Sequence, residues 1–443
     1  MTKNTINSPS RVMVIGFLVS IMVSTLLLQL PIFLEENSKI TFGEALFTAT
    51  SAITVTGLNV IDPGTTFNRW GEILLILLIQ IGGLGFMTFT IWFFILFGKK
   101  IGLKERLLMQ ENTGQINLEG IVRLAFHLLW ITISFETVGA ILLALRWYKR
   151  MGWDEAIFQG IFHSVSAFNN AGFSLFSNSL MDNVNDPYVN IVITTLILIG
   201  GIGFFVIIDL IGKKFELKQL TLNSKVTLAT NFALIVFGTF FFLIMEYKNP
   251  ATLGPLPFSS KIITSFFQTV TTRTAGFNTI NIGDMYQVSL IIIIIYMFIG
   301  ASSGSTGGGV KVTTVTIIWF SLISVLRGKR DVIIFRRRIP METVLRSMAI
   351  IMLSIIIIIS VVILLDITER GTPFIAILFE TVSAFGTVGL SMGVTPQLSE
   401  VGRVIIIIMM FIGRLGPLTV GYALARKVEK DYFRYPEEKV MIG

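Results

Sequence analysis

The chain has 443 residues, of which 53% are hydrophobic and only 14% charged, so a soluble globule of this size would lack the polar surface to cover itself. It has no cysteine and two histidines, which excludes disulfides and thiolate metal sites and argues against a zinc site or a histidine-based catalytic centre. The net charge of +8 sits in short runs beside apolar segments, the pattern of membrane-flanking loops rather than of a nucleic-acid surface.

The first apolar run begins after Arg11 and continues to Leu34 without a small-residue cleavage site, so a retained membrane helix is expected over 11–34. A half-length amphipathic stretch follows at 41–53, then the segment 54–58, then a second spanning helix at 70–97. The same order recurs three times. Later first helices are expected near 121–146, 224–246 and 345–365, and later second helices near 190–212, 287–327 and 402–426. The Phe-led stretches between them run Phe47 to Gly57, Phe162 to Gly172, Phe267 to Gly276 and Phe379 to Gly389, the third copy being one residue shorter. They divide the chain into repeats at 1–106, 107–218, 219–330 and 331–443. The predicted fold is an all-α polytopic membrane protein of four helix/pore-helix/filter-loop/helix repeats, with eight transmembrane helices and four re-entrant pore loops around one central pore.

Basic residues gather at Lys99, Lys100, Lys104 and Arg106, at Lys213, Lys214, Lys218 and Lys225, at Arg327 to Arg346, and at Arg426, Lys427, Lys430 and Arg434. The positive-inside tendency then places both termini and these loops in the cytoplasm, with the glycine segments opening outward. The basic loop 327–346 suits either an acidic cytosolic partner or anionic membrane lipid.

A dozen residues cannot cross a bilayer, and polar backbone after them cannot face lipid. Each half-length helix is therefore expected to dip inward and aim its negative C-terminal end at the pore, which favours a cation. The residues that follow can replace an ion's water shell with backbone carbonyls, and glycine permits the left-handed angles that turn those carbonyls toward one axis. The candidate filter residues are Thr54, Val55, Thr56 and Gly57; Asn169, Asn170, Ala171 and Gly172; Arg273, Thr274, Ala275 and Gly276; and Gly386, Thr387, Val388 and Gly389. They look like degenerate relatives of the potassium-channel filter, with one aligned glycine per copy. The aligned Thr48, His163, Gln268 and Glu380 are expected to brace these loops. Arg273 is expected to brace the filter or face outward, since a cation on the ion path would oppose conduction.

A second glycine set lies in the second helices, at Gly82 to Gly85, Gly200 to Gly203, Gly300 to Gly304 and Gly413 to Gly416. In three repeats, close helix packing explains it. The third repeat departs: Gly300, Ser302, Ser303, Gly304, Ser305, Thr306, Gly307, Gly308 and Gly309, followed by Lys311, interrupt an apolar helix with flexible polar residues. An intramembrane loop below the filter is expected there, without the spacing of a phosphate-binding loop. Arg414 follows Gly413, the counterpart of Gly300, and is expected to form a positive barrier beside that loop, with Lys311 a weaker companion; loop and arginine together form a gate.

These motifs, over nearly the whole chain, resemble the KtrB branch of the Trk/Ktr/HKT superfamily of potassium transporters. The resemblance implies potassium uptake, with potassium held at the filter carbonyls, sodium as an activator and no cofactor in this chain. It also implies a homodimer in the cell membrane, assembled on a cytosolic ring of KtrA-like subunits that bind ATP or ADP. A TrkH-like or sodium-coupled symporter with alternating access is the competing reading; it calls for inverted repeats, whereas these four copies share one orientation. A membrane enzyme lacks support, because Glu136 and Asp209 are carboxylates in apolar context with no accompanying nucleophile, base or metal set.

Overall fold

A computed structural model describes residues 9–36, 38–85 and 121–424, with Pro436 and Glu438. The basic clusters at 99–106 and 426–434, and the rest of the span expected at 70–97, lie outside the described residues. The chain is a mostly helical, polytopic membrane-type protein. Among the described residues, four helices are long and apolar enough to cross a bilayer: α1 (Pro9–Leu28), α4 (Ile121–Met151), α8 (Leu222–Glu246) and α12 (Met341–Thr368). In α12 the run Ile355 to Ile359 is β-branched, yet helix is enforced because a backbone in hydrocarbon must satisfy its own polar groups. Phe232, Phe237 and Phe240 on α8 point outward, while threonines, serines and asparagines fill the interior.

After each long helix comes a shorter one that ends among buried polar residues: α2 (Phe42–Thr54), α5 (Trp153–Phe168), α9 (Phe258–Thr271) and α13 (Phe374–Gly386). The start of α2 is set by a capping box, in which Thr41 accepts from the Glu44 N–H and the Glu44 side chain accepts from the Thr41 N–H. The leading residues Phe47, Phe162, Phe267 and Phe379 are all fully buried. Four further helices follow: α3 (Arg69–Leu84), α6 (Pro187–Gly201), α10 (Gln287–Phe298) and α14 (Glu400–Leu415). Each packs on the short helix of the next repeat, α3 on α5, α6 on α9, α10 on α13, and α14 back on α2, so the arrangement closes into a circle.

Two expectations need correction. The second helices at 190–212 and 402–426 are not continuous: α6 is followed by α7 (Phe204–Gly212) at a 90° bend, and α14 by α15 (Pro417–Leu424). In the third repeat, α11 (Val312–Leu326) follows α10 across the expected loop. The breaks fall at Gly203 (φ +97°) and Gly416 (φ +84°), and α3 stops before Gly85 (φ +83°). These glycines supply left-handed backbone, while Gly82, Gly200 and Gly413 are the ones that pack closely, each facing the carbonyl of Ile53, Phe168 or Phe385. The all-α expectation is also incomplete. Within the basic loop, β1 (Val332–Ile334) and β2 (Arg337–Ile339) form a hairpin that buries Val332 and Ile334 against Val226 and Val344.

Candidate functional site

The structure brings the four glycine segments together at the centre of the circle. Each has the same backbone: a left-handed residue, one ordinary residue, then a glycine with positive φ. The left-handed positions are Val55 (φ 55°), Asn170 (57°), Thr274 (73°) and Thr387 (50°), and the glycines are Gly57 (88°), Gly172 (69°), Gly276 (78°) and Gly389 (89°). Left-handed backbone is unfavourable for β-branched residues, so the surroundings must hold Val55, Thr274 and Thr387 in it. The residue between donates its N–H back to the short helix, from Thr56 to Ser51, Ala171 to Ser166 and Val388 to Ser383 at 2.8 Å, and from Ala275 to Thr271 at 3.0 Å. Its own carbonyl receives no backbone hydrogen bond among the described residues.

Those carbonyls border the neighbouring glycines in sequence around a ring. A Cβ added to Gly57 would strike the Ala171 carbonyl, one on Gly172 would lie 2.9 Å from that of Ala275, one on Gly276 would strike that of Val388, and one on Gly389 that of Thr56. The aligned residues of the short helices reach hydroxyl groups eleven positions on: His163 Nε2 meets Ser174 Oγ at 3.0 Å, Gln268 donates to Thr279 at 3.3 Å and Ser391 donates to Glu380 at 2.9 Å. Thr48 makes no such bond. Arg273, directly before Thr274, is buried and lines a separate cavity from the one at the four glycines.

On one side of the ring is a cavity of about 450 Å³ lined by the four glycines, Asp62, Asn278 and Ser391. On the other side the loop between α10 and α11 presses against the ring, with Gly307 packed on Thr274 and Gly308 on Thr387. It is held by hydrogen bonds from Gly300 N to Val310 O at 2.9 Å, Ser302 N to Gly201 O at 3.1 Å, Gly308 N to Thr387 Oγ1 at 3.1 Å and Gly309 N to Gly413 O at 3.4 Å. Ser303 bonds Thr313, Ser305 donates to the Ser302 carbonyl, and Gly304 O accepts from Phe204 N. Lys311 Nζ donates to Gly307 O at 2.7 Å. Arg414 donates to Thr306 O, to Gly82 O and, at 3.2 Å, to Gly83 O, so its charge is anchored on loop and helix-end carbonyls. Both cations line a cavity of about 170 Å³ with Gly304, Ser305 and Gly307.

A sequence profile of the TrkH cation transport proteins matches residues 4–434. The chain belongs to the TrkH family. It is 45% identical to the Ktr system potassium uptake protein B of Bacillus subtilis, with 98% of this chain and 97% of the relative covered, and 37% identical to the potassium/sodium uptake protein NtpJ of Enterococcus hirae, with 98% and 97% covered. The crystal structure of the potassium transporter TrkH from Vibrio parahaemolyticus shares the fold, with a TM-score of 0.73 at 20% identity, covering 96% of this chain and 86% of that one. These relatives are named for transport and not for catalysis.

In this TrkH-family chain the two apolar-context carboxylates have partners that sequence did not reveal. Asp209 caps α8, accepting from Thr221 N at 2.9 Å and Ser224 Oγ at 2.6 Å. Glu136 accepts from Gln80 at 3.1 Å and from Asn169 at 2.9 Å, tying α3 and α4 to the second glycine segment. Polar Gln80 and Glu136 inside apolar stretches of α3 and α4 were the available signal; their pairing across 56 residues was not. Asn231, also missed, donates to Ser302 at 3.1 Å and so anchors the loop.

Proposed function

We propose that this protein is the potassium-translocating subunit of a KtrB-type uptake system, with the four glycine segments as its selectivity filter. The reading rests chiefly on the closed ring of Gly57, Gly172, Gly276 and Gly389, whose neighbouring carbonyls accept no backbone hydrogen bond among the described residues. Such carbonyls can replace the hydration shell of a potassium ion, and a residue with a side chain at any of the glycines would intrude on the next repeat. The outer cavity is the entrance, and the loop 300–311 with Arg414 and Lys311 is the gate on the inner side. A guanidinium already anchored on carbonyls places fixed positive charge beside the exit, where it raises the energy of a passing cation. The relatives' names support potassium as cargo.

In this reading the repeats supply eight membrane crossings, counting the bent and broken second helices as one each, and four re-entrant loops, with both termini cytoplasmic. The protein works as a homodimer on a KtrA-like nucleotide-binding ring, and sodium activates it. Inward flux needs no ATPase of its own, since an interior-negative potential of about 100 mV contributes about 2.3 kcal/mol per monovalent cation.

Potassium and sodium flux into proteoliposomes containing this chain, with Gly276→Ser alongside, tests the proposal. The expected result is potassium-selective flux whose preference for potassium over sodium collapses in the variant. Unchanged selectivity in a folded Gly276→Ser protein would overturn the filter assignment.

A further inference from the structure

We infer that a lateral cavity beside the ring binds the carboxyl head of a long-chain fatty acid. The cavity measures about 230 Å³ and is lined by Ile202 at the α6–α7 bend, Leu228, Asn231 and Phe232 on α8, and Val270 and Arg273. Leu228 to Phe232 lie well inside the 25-residue helix α8, about 9–15 Å from its first residue, which is within the hydrocarbon. Phe232 is 71% exposed, so the mouth opens sideways toward acyl chains.

Two polar side chains interrupt this apolar wall. Arg273 is only 6% exposed, and among the described residues its Nε has no hydrogen-bond partner and none of the ion pairs includes it. Asn231 donates to Thr227 O at 2.6 Å and to Ser302 Oγ at 3.1 Å. A guanidinium at membrane depth is costly unless paired, and its planar fork of donors matches a carboxylate. Soluble anions do not reach that depth, and the phosphate of a phospholipid is held at the interface by its hydration. A fatty acid crosses the bilayer as the neutral acid, so it can carry a carboxyl group to Arg273 while its chain leaves past Phe232 into the lipid.

The position gives such a ligand leverage. Arg273 directly precedes Thr274, the left-handed residue of the third glycine segment, and Asn231 holds Ser302 of the loop. The binding claim stands apart from the filter assignment.

The full chain, in nanodiscs of phosphatidylcholine, would be photolabelled with palmitic acid carrying a diazirine in its chain, and the labelled positions mapped by peptide mass spectrometry. Label is expected on 228–235 and 197–202, displaced by palmitate but not by its methyl ester, and reduced about tenfold in Leu228→Trp, which fills the cavity. Arg273→Gln is expected to abolish the advantage of palmitate over the ester; should that variant not fold, Leu228→Trp alone decides. Label spread evenly over the outward faces, equal competition by the ester, displacement by phosphatidylglycerol, or full labelling of Leu228→Trp would each overturn the proposal.

Discussion

Gly200 and Gly212 lie in the same bent pair of helices, yet they meet opposite surroundings. A Cβ at Gly200 would overlap the Phe168 carbonyl, which is backbone and cannot swing aside, whereas one at Gly212 would meet nothing within 4 Å among the described residues. Gly200→Ala is therefore expected to cost more than about 2 kcal/mol or to prevent folding, and Gly212→Ala to be neutral or to stabilise by up to about 1 kcal/mol. Thermal unfolding of the two purified variants checks this, and equal melting temperatures would contradict it. At this scale the sequence was informative about type and silent about cause. The glycines that pack and those that bend the chain, Gly200 and Gly203, read alike because a missing Cβ serves close approach and positive φ equally.

Between elements, the contact of α3 with α5 shows how an exposed helix start is fixed. Arg69 pairs with Glu155 and stacks on Phe158 at 3.8 Å, and Gln159 donates to the same carboxylate at 2.8 Å. Partial burial by itself would raise the Glu155 carboxyl, but the hydrogen bonds from Gln159 and Arg69 and the charge of Arg69 hold it below its ordinary value of 4.5. A carboxylate whose folded pKa is depressed stabilises the fold fully above its unfolded pKa and loses that contribution as pH falls through the folded value. Arg69 also lies 3.5 Å from Glu72, so the comparison belongs in a Glu72→Gln background: the melting-temperature gap on adding Arg69→Gln should hold steady from about pH 7 to about pH 5 and shrink below that, with a gap independent of pH sinking the assignment. The short helices were legible because a Phe-led apolar stretch of ten or eleven residues, its closing glycine included, recurs four times. The breaks after α6 and α14, and the hairpin Val332 to Ile339, were not: a three-residue strand offers too little alternation to separate it from a basic loop.

For the whole molecule, Arg414 joins three repeats, donating from α14 to Thr306 of the loop and to Gly82 and Gly83 at the end of α3. If it is the inner barrier, Arg414→Gln should raise potassium flux at least about fivefold, equivalent to about 1 kcal/mol on the barrier, with selectivity retained because the ring is untouched. Flux at the wild-type level from a folded variant would remove Arg414 from the gate and leave it an anchor. The sequence by itself determined the membrane class, the recurrence of four Phe-led glycine segments and the interruption of an apolar helix at 300–311, since each depends on composition or on neighbours a few positions apart. Tertiary structure alone decided that four separate glycines close one ring, that Glu136 reaches Asn169, that Arg273 lines a cavity with its Nε unpaired among the described residues, and that Arg414 finds a carbonyl 332 residues away. Those contacts join segments whose spacing along the chain carries no trace of their distance in space, and only the packing of each helix on the next repeat brings them together.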